Sequence, residues 1–488
     1  MRLSKRVENR GRASLTVAPI GLRLAQTSRG RETEMSPPSK IADAVPTKVV
    51  ALCRTLRDAG YATYLVGGSI RDLLIGRSAK DWDVATSALP EEVMALFRKT
   101  IPTGIKHGTV TVLLGKLPVE VTTFRGDGAY VDGRRPEEVT FVSTIEDDLS
   151  RRDFTINAIA FDPLKNEIID PFAGQQDLKT RLVRAVGDPL KRFSEDGLRV
   201  MRAIRFAAVL EFSLDPATQA AISPTIEVFR RVSWERIRDE LLKMLMAPVP
   251  SAGLKVMVDT GLMAEVIPEM LPAVGLVQNE HHSHDVFEHT LMVCDRCQGD
   301  AVLSLAALLH DIGKPETAVP RTDNPRFNSF HGHERKGAEI CETIASRLKL
   351  SNTESQRLCH LVRHHFFATQ PLSDAAMRRF VRRVGEDCLE DLLILRRADL
   401  SGRDGGAQRL DELGVFAEHL RKVLAAAPPL NAKALAISGH QVMARVGKGP
   451  GRYVGEYLAS LLERVLDDPA LNEEETLLKL VDELAQSQ

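Results

Sequence analysis

A chain of 488 residues, 43% hydrophobic and 27% charged, is too long for one compact core and reads as a soluble protein of three or four units. A formal net charge of −1 excludes a protein that coats nucleic acid indiscriminately, and an aromatic content of 5% excludes extended base-stacking platforms. No apolar run approaches the roughly 20 residues of a membrane span, and six scattered cysteines suit a reducing, cytoplasmic setting.

Residues 1–40 are rich in Arg, poor in acid and without sustained periodicity. Two readings stand, a transit peptide and a disordered or extraneous extension with Met35 as the initiator; the second is preferred. From Pro46 to Ala59 an apolar stripe at Val49, Val50, Leu52, Cys53 and Leu56 predicts a helix. Tyr64 to Val66 then predicts a strand that stops at Gly67-Gly68, followed by a helix and a second short strand. The glycine pair lets backbone N–H groups approach an anion, and Arg71 adds charge about one turn on. Asp81 and Asp83, two residues apart, fall on one face of an extended chain. Two hard anions side by side suit one or two Mg2+ ions holding a triphosphate beside an attacking hydroxyl.

A glycine pair before Arg-Asp is ordinarily a turn with a helix cap, and Asp-x-Asp is ordinarily solvated. Together, in this order and this close, LVGGSIRDLLIGRSAKDWDVAT is specific. Here the chain resembles the nucleotidyltransferases of the DNA polymerase beta superfamily, and more narrowly the class II tRNA CCA-adding enzymes and bacterial poly(A) polymerases.

Pro90-Glu91 opens a helix, and Val110–Leu114 and Val119–Phe124 flank a Gly115-Lys116 hairpin. Glu120 reads either as a third carboxylate beside the aspartates or as an edge-strand acid facing water. Residues 125–146 look like a mobile loop over the site, a region that in the family orders around the incoming nucleotide. In DLSRRDFTINAIA, Arg151, Arg152 and Asp153 precede an expected apolar helix, and an ordinary cap would explain Asp153. The segment also resembles the family's ribose-contacting motif, which implies that Arg152 and Asp153 meet the sugar, a carboxylate accepting from the 2′-hydroxyl. Asp170–Gly174 marks a turn that resembles the family's hinge between head and neck.

In EDGLRVMRAIR, Asp196 and Arg199 are three apart on one helical face, as in an ordinary surface ion pair. The stretch matches the family's template-free base reader. Cytosine and adenine offer an amino donor beside a ring-nitrogen acceptor, so a carboxylate and a guanidinium admit both, while G and U meet like groups. Arg202 and Arg205 continue the helix toward the triphosphate or the RNA backbone. Residues 206–275 read as helical and resemble the family's neck; Arg230, Arg231, Arg236 and Arg238 read either as phosphate contacts or as a solvated face.

After Pro268 and Pro272 comes a new composition. The order His289, His310-Asp311, His333, His364 and Asp399 resembles the HD phosphohydrolase superfamily, and imidazole with carboxylate suits Mn2+, Ni2+, Fe2+ or Mg2+. Its implied substrates are 2′,3′-cyclic or terminal phosphates, which block the hydroxyl the head must extend. Cys294-x-x-Cys297 reads as core packing rather than zinc or redox chemistry. Leu435–Gly455 resembles the C-terminal RNA-contacting segment of bacterial members; within it Gly447–Arg452 reads either as a phosphate-approaching turn or as a bare connection.

The expected architecture is an α+β head with a mixed sheet over 41–188, then an all-α neck (189–275), HD domain (276–405) and C-terminal region (406–488). The resemblance implies CCA addition to tRNA from CTP and ATP in the cytoplasm. A poly(A) or A-adding polymerase is the alternative, and a nucleotide-signalling HD hydrolase is disfavoured because those enzymes place the HD portion first.

Overall fold

The computed structural model describes residues 33–486 except 80, 127–139, 281, 298 and 404. Residues 1–32 of the N-terminal extension and the centre of the loop expected over the site lie outside the described residues. Residues 33–40 are not a disordered extension: the N–H groups of Thr33 and Ser36 donate to the carbonyls of Lys179 and Leu74 at 3.0 and 2.8 Å, and a helix starts at Pro38 and runs to Ala44, burying Ile41.

The head is a seven-stranded mixed sheet in the order β3-β4-β5-β2-β1-β6-β7. Its strands are β1 (Thr63–Val66), β2 (Asp83–Thr86), β3 (Thr100–Gly104), β4 (Thr109–Leu114), β5 (Leu117–Thr123), β6 (Ala160–Asp162) and β7 (Glu167–Ile169). Neighbours are antiparallel except β2 and β5, which run parallel with Asp83 opposite Glu120. Gly115-Lys116 closes a two-residue hairpin between β4 and β5, with Gly115 at φ 77° as such turns require. Along β5, Val119, Val121 and Thr123 are buried and Glu120 is exposed, the period of two that sends alternate side chains to opposite faces. Glu120 therefore sits on an interior strand, flanked by β2 and β4, and not on an edge.

Helix α1 (Thr47–Asp58) buries Val49, Leu52, Cys53 and Leu56 against the head core. The strand–turn–helix cradle is β1, Gly67 at φ 79° and α2 (Gly68–Leu74). After α3 (Ile145–Ser150), residues 155–157 form one 3-10 turn and the chain passes into β6, in place of the expected apolar helix. Phe154, Ile156, Ala158 and Ala160 are all buried, so tertiary burial has overridden a pattern that looks helical in isolation. Asp170 accepts the N–H groups of Gly174 and Gln175 at 2.7 and 2.9 Å. Gly174 presses on Thr155, where a Cβ would stand 2.2 Å from the carbonyl oxygen, so this turn braces the 153–157 segment.

The neck follows as α4 (Pro189–Glu195), α5 (Leu198–Leu210), α6 (Trp234–Leu245) and α7 (Pro250–Asp259). A short parallel pair, β8 (Leu182–Val183) with β9 (Ser213–Leu214), ties it to the head. The next helices are α8 (Val286–Arg296), α9 (Ala301–Leu309), α10 (His333–Arg347), α11 (Asn352–His364), α12 (Asp374–Val384) and α13 (Leu389–Ser401). Last come α14 (Gly406–Ala425), α15 (Arg452–Asp467) and α16 (Glu474–Gln486). Cys294 and Cys297 are buried in the shared core, where burial pushes the Cys297 thiol up to about 12. Among the described residues no helix is long and apolar enough to cross a membrane.

Candidate active site

Trp82 turns into the core between Asp81 and Asp83, and this alternation leaves the two acids on the opposite side of the chain. Asp81 lies just before β2 and Asp83 is its first residue. Burial, then the facing Glu120 carboxylate and Asp81, push Asp83 up to about 6 against the pull of Arg152. Three carboxylates at one end of the sheet, one of them reluctant to ionise, make a site short of positive charge that oxygen-liganded divalent cations fit.

Gly67 owes its place to these neighbours, since a Cβ there would stand 3.1 Å from Asp83 Oδ2 and 3.6 Å from Arg152 Nη1. Beside it a cavity of about 720 Å³ is lined by Gly68, Ser69, Arg71, Asp72, Arg77, Ser78, Asp81 and Asp83, within the range of small-molecule sites.

Arg71 is held by Asp72 at 2.9 Å and by Asn157 Oδ1 at 2.8 Å. Asn157 donates to Asp153 Oδ1 at 3.0 Å, and Asp153 Oδ2 takes Arg202 at 2.5 Å. Burial alone would raise Asp153, but Arg202 and Asn157 hold it down to about 2. Arg205 pairs with Glu240, which also lies 3.9 Å from Arg202. The guanidinium carbons of Arg71, Arg202 and Arg205 stand 5.1, 5.3 and 4.0 Å from the centre of the Phe206 ring, joining the cradle to α5. Arg202 and Arg205, expected to reach toward phosphates, are thus engaged with acids of the fold. Arg152 is held by buried Asp148 at 3.1 Å.

Asp196 and Arg199 do not share a helical face as expected, because Asp196 stands in extended backbone before α5 (φ −144°, ψ 107°), and they do not pair with each other. Asp196 caps α5 through the Leu198 N–H at 3.0 Å and accepts from Arg236 at 2.8 Å. Arg199 donates to Glu195 at 2.5 Å and to the carbonyls of Arg192 and Arg151 at 2.9 and 3.0 Å. Each group has its own anchor, the arrangement expected of a rigid recognition edge rather than a mutual ion pair. Gly197 between them meets the Val228 carbonyl, 2.6 Å from where a Cβ would be, so the α4–α5 corner admits no larger residue. Glu195 and Arg236 are the partners sequence reading missed; Glu195 was legible as the residue before Asp196, whereas nothing local marks Arg236. Of the remaining neck arginines, Arg230 pairs with Glu227 and Glu265, and Arg238 with Asp239.

A second cluster is buried, with His333, at 8%, its most exposed member. His310, His333 and His365 each direct Nδ1 to a backbone carbonyl, of Ala307, Phe330 and Val362, at 2.9, 2.8 and 2.7 Å. With Nδ1 so engaged, each Nε2 faces the centre of the cluster; those of His333 and His365 lie 3.3 Å apart, and all three converge on Asp311. Asp311 Oδ2 lies 3.1 Å from His310 Nε2 and 3.8 Å from His289 Nε2, while Oδ1 faces His333 and His365 at 3.5 and 3.7 Å. Burial would raise the Asp311 carboxyl, but His310 and Lys314 hold it well below its usual range. His289 Nε2 also meets Asp399 at 3.1 Å, and Asp399 is braced by Arg396 and Arg403 at 2.7 Å each. Two ligand groups result, His289-His310-Asp311 and Asp311-His333-His365. The donor set and the unpartnered Nε2 of His310 fit a divalent transition metal.

His364 does not belong to this cluster. Its ring centre lies 4.5 Å from that of His360, the planes tilted by 54°, and burial and that neighbour lower it to about 4. Adjacent residues at a helix end point about 100° apart, so only one of His364 and His365 can face the centre. Metal content should separate them: His365→Ala is expected to lose at least about tenfold in affinity for Mn2+ or Ni2+ at this centre while His364→Ala binds as wild type. Equal loss in both, measured by elemental analysis after dialysis, would overturn the ligand set.

Comparison with known proteins adds three domain matches: a poly A polymerase head domain over residues 63–184, a probable RNA and SrmB-binding site of polymerase A over 211–274, and an HD domain over 280–401. The CCA-adding enzyme of Anoxybacillus flavithermus is 34% identical over 447 residues, 88% of this chain and 95% of that relative. The CCA-adding enzyme of Lactobacillus helveticus is 50% identical over 231 residues, 47% of this chain, so the chain matches only 57% of that relative's length. The Bacillus stearothermophilus CCA-adding enzyme in complex with CTP superposes with a TM-score of 0.71 at 30% identity, covering 93% of this chain and 99% of that one. The Thermotoga maritima CCA-adding enzyme complexed with tRNA shares the fold, with a TM-score of 0.58 at 22% identity, covering 93% and 99%.

Proposed function

Because this chain belongs to the family of CCA-adding enzymes, we propose that it adds or repairs the 3′-terminal CCA of tRNA in the cytoplasm, using CTP and ATP without a nucleic-acid template. In this reading the head spans 41–188, the neck 189–275, the HD domain 276–405 and an RNA-contacting region 406–488. Asp81, Asp83 and Glu120 would hold Mg2+, which when bound lowers the pKa of the terminal ribose hydroxyl and offsets charge on the departing pyrophosphate. The 3′-oxygen bonds to the α-phosphorus as the α–β bridging bond breaks, and the hydroxyl proton leaves to solvent. Gly67, Gly68 and Arg71 orient the triphosphate in the 720 Å³ cavity. Arg152 and Asp153 meet the ribose. Asp196 takes the amino proton of C or A and Arg199 gives to the ring nitrogen, each kept from reorienting toward G or U by its own anchor.

The observation that carries this reading is the unbroken path Arg71–Asn157–Asp153–Arg202, which joins the triphosphate cradle to α5, the helix that bears Arg199 and starts beside Asp196. A tRNA lacking its 3′ end, incubated with all four nucleotides and sequenced, should gain C, C and A and then stop. An untemplated A tract would replace this reading with poly(A) polymerase.

The second cluster supports an accessory metal-dependent phosphohydrolase that clears 2′,3′-cyclic or terminal phosphates from the RNA end. His289, His310, Asp311, His333, His365 and Asp399 would hold Mn2+, Ni2+ or Fe2+, which when bound activates water and polarises the phosphoryl oxygens. Water oxygen bonds to phosphorus, the ester P–O bond to the ribose breaks, and the ribose oxygen takes up a proton.

A further inference from the structure

The segment HHFF at 364–367 ends in two phenylalanines that part company. Phe367 is buried among Phe380 and Phe416, with ring centres 5.1 and 5.4 Å away. Phe366 is 51% exposed. Its ring centre lies 5.8 Å from that of His333 and 6.4 Å from that of His365, both edge-on, so the ring stands at the margin of the buried imidazole cluster. The buried guanidinium of Arg396 sits 5.0 Å from the ring centre and donates to Asp399 at 2.7 Å. A cation against one side of the ring fixes it in place and leaves the exposed side for another planar group.

A nucleobase is such a group. Bases splayed from single-stranded RNA ends stack on aromatic side chains, with little dependence on which base it is. The ring is close enough to the imidazoles that one nucleotide can span both, base on Phe366 and phosphate at the centre.

We propose that Phe366 is the specificity-determining residue of the HD site, a stacking platform for the terminal base, so that the site selects phosphate groups carried on a nucleoside over esters that lack a base. This rests on the reading of the cluster as a metal-dependent phosphohydrolase.

The test uses the full chain loaded with Mn2+ and two substrates, adenosine 2′,3′-cyclic phosphate and methyl riboside 2′,3′-cyclic phosphate, which differ only in the base. Wild type should prefer the adenosine compound, and Phe366→Ala should erase that preference by about 5- to 100-fold, through KM with kcat nearly constant. Phe366→Trp should restore it. Metal content should be equal in all three proteins. As a readout independent of turnover, 4-fluorophenylalanine placed at position 366 should shift its 19F resonance on addition of adenosine 2′-phosphate and not of methyl riboside 2′-phosphate. Cleavage of both substrates with equal efficiency by wild type and Phe366→Ala would overturn the platform while leaving the hydrolase standing. Cleavage of neither by metal-loaded wild type would overturn the hydrolase reading instead, and a silent 19F signal would overturn the platform in either case.

Discussion

Replacing Asp81 and Asp83 together by Ala is expected to lower nucleotide incorporation by more than about 1,000-fold, because the loss of several kcal/mol of charge stabilisation at the transferring phosphate appears directly in the rate. The same change should not destabilise the metal-free protein. Asp83 carries a folded-state value of about 6 against an ordinary 3.8, so its native environment favours the protonated form. Its contribution to stability is intact below about pH 4 and erodes as pH rises through 6, leaving a cost of roughly 1–3 kcal/mol at pH 7. Without metal, the double variant should therefore melt at or above wild type at pH 7, and the two should converge toward pH 4. With Mg2+ present the wild type should gain most, since the cation offsets what the crowded carboxylates lack. Mg2+-dependent activity should fall as pH drops through about 6, where protons compete for Asp83. Single-turnover incorporation of labelled CTP with parallel melting curves tests both halves. Activity within about tenfold of wild type would remove these residues from the chemistry.

Asp196→Ala is expected to have the second-largest effect, and on choice as much as on rate. A buried edge that accepts the amino proton rejects a base lacking it by leaving polar groups unpaired, and such edges discriminate by factors of about 10⁴ or more. Removing the carboxylate should cut kcat/KM for CTP and ATP by roughly 100- to 1,000-fold and bring UTP and GTP to within about tenfold of them. The substitution also releases Arg236, whose 2.8 Å bond to Asp196 anchors it. Arg236→Ala should accordingly relax selectivity with a smaller loss of rate, since it acts through Asp196. Competition with mixed nucleotides, read by sequencing the extended ends, separates the two; unchanged selectivity in Asp196→Ala would dismiss the reader.

Features decided within one turn or one strand were legible in the sequence. The cradle, the Asp81–Trp82–Asp83 alternation, the Gly115-Lys116 hairpin and the His-Asp step at 310–311 each depend on local periodicity or on a residue suited to an unusual backbone. What was missed depends on distant chain. The strand β3 and the placement of β6 beside β1 follow from pairing across long intervals. The 153–160 segment is apolar enough for a helix, but its side chains are divided between two cores, Phe154, Ile156 and Ile159 in one and Ala158 and Ala160 in the other. His364 and His365 are indistinguishable locally, and the choice between them is made by where α11 ends against α10. Arg236 is 40 residues from Asp196, and Glu240 is 35 from Arg205, so the partners of α5 had no signal nearby. The arginines of α5 read as unclaimed positive charge because sequence shows the cations and hides the acids that face them.

The parallel pairing of β2 with β5 makes the head's chemistry a question of odd and even. Glu120 stands among the aspartates because it is one step from buried Val119 and Val121, hence on the opposite face, and level with Asp83 across the pairing. One inserted residue between the turn and Val119 would drive the carboxylate into the valine layer and turn Val119 outward, while two would restore the face but carry Glu120 roughly 7 Å along the strand, away from Asp83. The hairpin tip thereby acts as the origin from which the acidic site is measured.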